Sequence, residues 1–164
     1  MQKAVFLDRD GVINDGTLYY TFKTEDFRLN TGVIEGLKLL QDAGFILVVV
    51  TNQSGVAKGV YTVQDVNVTH VYMLDLLKEN DIQISAVYFC PHHPDVSMCN
   101  CRKPATGMID QAVQELNIDV KKSYLIGDSK RDVEAAVKAG LTPVKTTKNE
   151  NILPWCKKIV EGEI

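Results

Sequence analysis

No stretch of the 164-residue sequence approaches the roughly 20 consecutive apolar residues that a membrane-spanning helix needs. A signal peptide is not expected either, because Met1-Gln2-Lys3 leads directly into a short apolar run that meets Asp8. Surplus positive charge is also missing. Eighteen lysines and arginines stand against 21 aspartates and glutamates, for a formal net charge of −3. That balance argues against a nucleic-acid groove. There are no internal repeats and no low-complexity segment. What is left is the composition of an ordinary folded protein, 45% hydrophobic and 24% charged. A chain of this length buries about 70% of its unfolded surface. The expectation is a cytoplasmic monomer, one domain over residues 1–164, with no membrane or nucleic-acid partner.

Short apolar runs alternate with helical patterns. Ala4–Leu7, Ile46–Val50, Ala86–Phe89 and Tyr124–Ile126 are continuous enough for strands buried on both faces, and Pro143–Lys145 is a weaker fifth. Between them, Val33–Ala43, Thr62–Asn80, Gly107–Leu116 and Ser129–Ala139 carry apolar residues at helical spacing, with Gly44 and Gly140 as stops. This alternation predicts an α/β fold, a three-layer Rossmann-like parallel sheet with helices on both faces. The segment from Gly11 to Asn30 has no clear period and reads equally as a ligand-facing loop or a surface hairpin. Residues 148–164 have no assignment.

The chemistry collects at strand ends. Asp8-Arg9-Asp10-Gly11-Val12 places two carboxylates two residues apart as the first strand finishes. Like charges that close repel unless a cation sits between them, and a hard divalent ion such as Mg²⁺ suits oxygen ligands. Gly127-Asp128-Ser129-Lys130-Arg131-Asp132 repeats the arrangement at a later strand end, where Asp128 can complete a metal site and Asp132, one helical turn later, can either support that site from behind its ligands or complement a helix N-terminus. Thr51-Asn52-Gln53-Ser54-Gly55 offers a hydroxyl and backbone N–H groups for phosphate oxygens. Arg102-Lys103-Pro104 adds two cations.

In this order the four pieces resemble the motifs of the haloacid dehalogenase superfamily. The resemblance covers nearly the whole chain. It implies neighbouring strands for Asp8, Thr51 and Asp128, with Asp8 as nucleophile and Asp10 as general acid and base. Thr51, Asn52, Gln53, Ser54, Arg102 and Lys103 would meet phosphate. Mg²⁺ would be held by Asp8, the Asp10 backbone carbonyl and Asp128. An aspartate two residues after the nucleophile marks the phosphatases of that superfamily, and Asp10 supplies it.

Four cysteines and three histidines are present. Cys90-Pro91-His92-His93-Pro94 and Cys99-Asn100-Cys101 bracket a short loop, whereas Cys156 stands apart. Three thiolates and one imidazole make a closed, structural Zn²⁺ site. The pattern through Arg102-Lys103-Pro104 is similar to the zinc loop of heptose bisphosphate phosphatases and histidinol-phosphate phosphatases, in which the first histidine is the ligand. The implied set is therefore Cys90, His92, Cys99 and Cys101, within a loop over residues 90–101. Chains of this type lack a cap domain. This one departs from the heptose enzymes at Ser129, where they often carry lysine, and in a short span between His93 and Cys99. The substrate expected is a small phosphorylated metabolite, a heptose 1,7-bisphosphate before histidinol phosphate. A polynucleotide 3′-phosphatase and a non-catalytic zinc-stabilised binding module are the remaining readings.

Overall fold

The computed structural model describes residues 1–164. In chain order it contains β1 (Ala4–Leu7), α1 (Val33–Asp42), β2 (Ile46–Asn52), α2 (Val63–Lys78), β3 (Ile84–Cys90), α3 (Gly107–Leu116), β4 (Tyr124–Gly127), α4 (Lys130–Ala139), β5 (Thr142–Lys145) and α5 (Leu153–Glu161). The strands form one five-stranded sheet in the order β3-β2-β1-β4-β5. Every pairing is parallel.

Strand alternation divides β1 between two apolar layers. Val5 and Leu7 pack with residues of α1, α2 and α5, while Ala4 and Phe6 face α3 and α4. Both faces of the sheet are thus covered, which is why its central strands read as unbroken apolar runs. No helix is long and apolar enough to cross a membrane.

The helix ends follow local chemistry. Thr62 and Ser129 form capping boxes with Asp65 and Asp132, opening α2 and α4. The unassigned tail becomes α5, with Pro154 in its first turn. Ile152, Cys156 and Ile159 are buried in the layer shared with α1. Cys156 is a core thiol there, pushed up to about 12 by burial.

The parallel strands send their C-terminal ends to one edge. Since β2, β1 and β4 are adjacent, Thr51, Asp8 and Asp128 emerge side by side. The segment from Gly11 to Asn30 stays at this edge. Asn14 bridges to Asp10 and to Leu29, and Thr17, Leu18, Tyr19 and Tyr20 turn over the cavity described next.

Candidate active site

Asp8, Asp10, Lys103, Asp128 and Asp132 line a cavity of about 610 Å³. Side-chain oxygens of Asp8, Asp128 and Asp132 lie within 4.8 Å of one another, so this group could hold a metal ion. Lys103 is only 2% exposed. Its Nζ donates to Asp8 Oδ1 at 2.9 Å and to the Val50 carbonyl at 2.8 Å, and pairs with Asp132 Oδ1 at 2.7 Å. Burial opposes the charge on Lys103, but Asp8 and Asp132 outweigh it and hold the pKa above the usual lysine value.

One ammonium does not balance three carboxylates. Burial drives the Asp8 carboxyl up to about 8; Lys103 opposes the rise, whereas Asp132 and Asp128 reinforce it. Burial and then Asp132 also raise Asp128. A desolvated acidic cluster of this kind fits a hard divalent cation. The role of Asp132 is separable. Its Oδ2 accepts from the Ser129 N–H and hydroxyl, and its Oδ1 faces Lys103. It therefore fixes Lys103 and caps α4, leaving Asp8 and Asp128 turned toward the cavity.

Two glycines permit this crowding. A Cβ on Gly11, which sits at φ +84°, would fall 2.3 Å from Asp128 Oδ2. A Cβ on Gly127 would fall 2.3 Å from Asp132 Cγ. Side chains at either position would collide with the carboxylates.

The second group lies on the loop after β3. Cys90 Sγ is 3.5 Å from His92 Nδ1 and 3.7 Å from Cys99 Sγ, and His92 Nδ1 is 3.3 Å from Cys101 Sγ. Cys101 and Cys90 approach more closely, at 2.9 Å. All four ligand atoms lie within 4.8 Å of one another. Tetrahedral zinc with Zn–S near 2.3 Å has sulfur–sulfur edges of about 3.8 Å, so the donor set suits that ion. Burial raises the Cys90 thiol. Burial also acts upward on Cys99, but backbone N–H groups of Arg102 and Cys101 override it and bring this thiol to about 6. His93 points elsewhere: its Nδ1 accepts from the Asp95 N–H at 3.1 Å, and it lines the cavity.

The HAD-hydrolase-like family model matches residues 100–152. The D-glycero-beta-D-manno-heptose-1,7-bisphosphate 7-phosphatase of Yersinia pestis is 42% identical over 144 residues, 84% of this chain and 76% of that one. The D-glycero-alpha-D-manno-heptose-1,7-bisphosphate 7-phosphatase of Photorhabdus laumondii is 40% identical over 145 residues, 85% of this chain and 79% of that one. Among solved structures, the D,D-heptose 1,7-bisphosphate phosphatase from B. bronchiseptica, complexed with magnesium and phosphate, matches with a TM-score of 0.90. It is 28% identical and the match covers 98% of this chain and 99% of that one. The chain belongs to the heptose bisphosphate phosphatase family of the haloacid dehalogenase superfamily.

In this phosphatase, Asn52 and Gln53 line the cavity, and their side chains also bond to neighbouring residues of the site. Asn52 Nδ2 donates to the Lys103 carbonyl at 3.1 Å, and its Oδ1 accepts from the Lys103 N–H at 3.0 Å. Gln53 Nε2 donates to Asp10 Oδ2 at 3.0 Å and to Thr51 Oγ1 at 2.9 Å, while its Oε1 accepts from Tyr61 at 2.6 Å. These amides clamp Lys103 and Asp10 because both are already bonded on each end. Thr51 is buried behind Gln53, whereas Ser54 lines the cavity. Arg102 lines it too, and its Nη1 is buried without a hydrogen-bond partner.

Several contributors had no clear sequence signal. Arg131 and Lys148 line the cavity, and neither has a role assigned from sequence. Asn149 holds the entrance loop, with its Oδ1 accepting from the Gly16 N–H at 2.8 Å. Arg9 and His70 are buried. A pattern did exist for His70, which shares the inward face of α2 with Val66, Met73 and Leu77.

Proposed function

We propose that this phosphatase hydrolyses the C7 phosphate of D-glycero-D-manno-heptose 1,7-bisphosphate through an aspartyl-phosphate on Asp8. The supporting observation is the distribution of cations in one cavity. Lys103 sits beside Asp8 for the phosphate being transferred, while Arg102, Arg131 and Lys148 remain around the walls. That is more positive charge than a single phosphate requires, and the buried Nη1 of Arg102 still lacks an acceptor.

In the first step an Asp8 oxygen attacks phosphorus. The bond from phosphorus to the sugar oxygen breaks, its electron pair stays on that oxygen, and Asp10 gives it a proton. In the second step Asp10 takes a proton from water, the water oxygen attacks phosphorus, and the bond to Asp8 breaks. Splitting the hydrolysis this way replaces one difficult displacement with two easier ones. Lys103 stabilises charge growing on the transferring oxygens. Asp8, the Asp10 backbone carbonyl and Asp128 would hold Mg²⁺, which supplies charge neutralisation for an anionic nucleophile approaching an anionic substrate. The enzyme would act as a single-domain monomer on this small metabolite, without nucleic acid. The relatives above favour the bisphosphate over histidinol phosphate.

Phosphate release with Mg²⁺ on both anomers of the heptose bisphosphate, on histidinol phosphate and on a 3′-phosphorylated oligonucleotide tests the assignment. Both anomers belong in the set because relatives at 42% and 40% identity carry the beta and alpha names. The expected result is the highest kcat/KM on one of the two bisphosphates. Faster turnover of histidinol phosphate or the oligonucleotide would overturn the substrate.

Zinc at Cys90, His92, Cys99 and Cys101 would hold Arg102 and Lys103, which directly follow the last ligand in the chain. Metal analysis after dialysis should find about one zinc per chain, lost in Cys99→Ser plus Cys101→Ser. Structural zinc sites contribute about 10–16 kcal/mol of apparent binding free energy in zinc-finger peptides. The double variant should therefore expose this loop to protease and lose most turnover. Zinc-free protein with undiminished activity would remove the positioning role.

A further inference from the structure

Asp10 is the acid and base of the proposed mechanism, and its carboxylate is held from three directions. Asn14 Nδ2 donates to Oδ1 at 3.0 Å and Gln53 Nε2 donates to Oδ2 at 3.0 Å. Arg9 supplies two nitrogens to Oδ1, Nη2 at 2.8 Å and Nε at 3.3 Å. A rotatable side chain is thus tied to the backbone neighbour that bears it.

Arg9 is itself constrained. It is 0% exposed. Nη2 also donates to the Thr21 carbonyl, and the guanidinium lies 5.9 Å from the Phe27 ring centroid. The remaining nitrogen, Nη1, lies 3.1 Å from His70 Nε2. An arginine has no acceptor capacity, so this contact requires Nε2 to carry a lone pair. Burial foremost, and then the positive charge of Arg9, push His70 down to about 3, with Asp10 opposing. The imidazole is consequently neutral at ordinary pH and able to accept. His70 does not line the cavity.

We propose that His70 is a positioning residue for proton transfer: by accepting from Arg9 it fixes the guanidinium that sets the Asp10 carboxyl against the leaving oxygen. The inference rests on Asp10 acting as the general acid. Its consequence depends on the leaving group. The primary alkoxide of a C7 phosphate departs only as it gains a proton, whereas a nitrophenolate departs without one. Misplacing Asp10 should injure the first reaction selectively.

The experiment measures kcat/KM, which reports steps up to loss of the leaving group, with saturating Mg²⁺ on the heptose bisphosphate and on p-nitrophenyl phosphate. General acid–base catalysis contributes about 10²–10⁴-fold; His70→Leu should lose about 10-fold or more on the bisphosphate and little on the aryl ester. His70→Gln offers a carbonyl acceptor and should restore most of the difference. Equal losses on both substrates, no loss, or a glutamine variant as poor as the leucine one would overturn the proposal. If His70→Leu does not fold, Arg9→Lys gives the same comparison, since one ammonium cannot bond Asp10 through two nitrogens and still reach His70. Equal losses there count against the proposal in the same way. Asp10→Asn separates the two levels of argument. If that variant shows no leaving-group dependence, the acid role fails and the inference with it; if it does and His70→Leu does not, the inference alone fails.

Discussion

Asp8→Asn should lose turnover by about 10⁴-fold or more, the scale on which removal of a covalent nucleophile acts, and should form no phosphoenzyme. The amide cannot attack phosphorus and is a poor partner for a hard cation. The same substitution should not weaken the fold. Burial raises the Asp8 carboxyl from 3.8 to about 8, so the folded chain binds this proton more tightly than the unfolded chain does. Stability in the metal-free protein therefore falls as pH rises through that window, and the penalty is complete above it. Asparagine carries no such penalty. In the presence of chelator, the Asp8→Asn protein should match or exceed the wild-type melting temperature, with its advantage growing from pH 4 toward about 8. Thermal melts across that range check the sign. A variant that melts well below wild type throughout would show that Asp8 is a structural ion-pair partner first.

Lys103→Met should produce the opposite pairing of effects, losing both rate and stability. Removing one donor aimed at developing transition-state charge costs about 10²–10³-fold in kcat, and every phosphate ester should suffer because each passes the same transferring group. Lys103 is also the buried counter-charge of Asp132, whose side chain is 1% exposed. Breaking a buried pair by deleting one partner costs about 3–5 kcal/mol. Urea unfolding of the metal-free protein should therefore show a lowered midpoint. Unchanged stability would place the Asp132 charge in contact with solvent or another cation, contrary to the structure.

The contrast between these two variants reflects how the site is made. Parallel strands deliver carboxylates to a shared edge, and the glycines at 11 and 127 allow them to crowd. Fold and site were legible where each signal was local. The apolar runs of β1, β2 and β4 end directly at the residues assigned to the proposed chemistry, and position along the chain places Asp8, Asp10 and Asp128 at the shared edge. The order of those strands was legible only through resemblance, because nothing in a strand's own residues names its neighbour. The helix α5 was missed although Ile152, Cys156 and Ile159 have helical spacing, since its first turn contains Pro154 and follows a polar stretch. The partners of amides and cations were hidden for a different reason. Nothing in the sequence around Gln53 shows that its side chain joins Asp10 to Tyr61. Arg9 has no role assigned from sequence, because its partner His70 lies 61 residues away along the chain.

Two successive in-line displacements at phosphorus, one by Asp8 and one by water, restore the starting configuration. A phosphate ester made chiral at phosphorus with oxygen isotopes, turned over by the Mg²⁺-loaded wild-type enzyme, reads this directly in the stereochemistry of the transferred phosphoryl group. The account predicts net retention. Net inversion would mean that water attacks the substrate itself, and would contradict a covalent intermediate on Asp8.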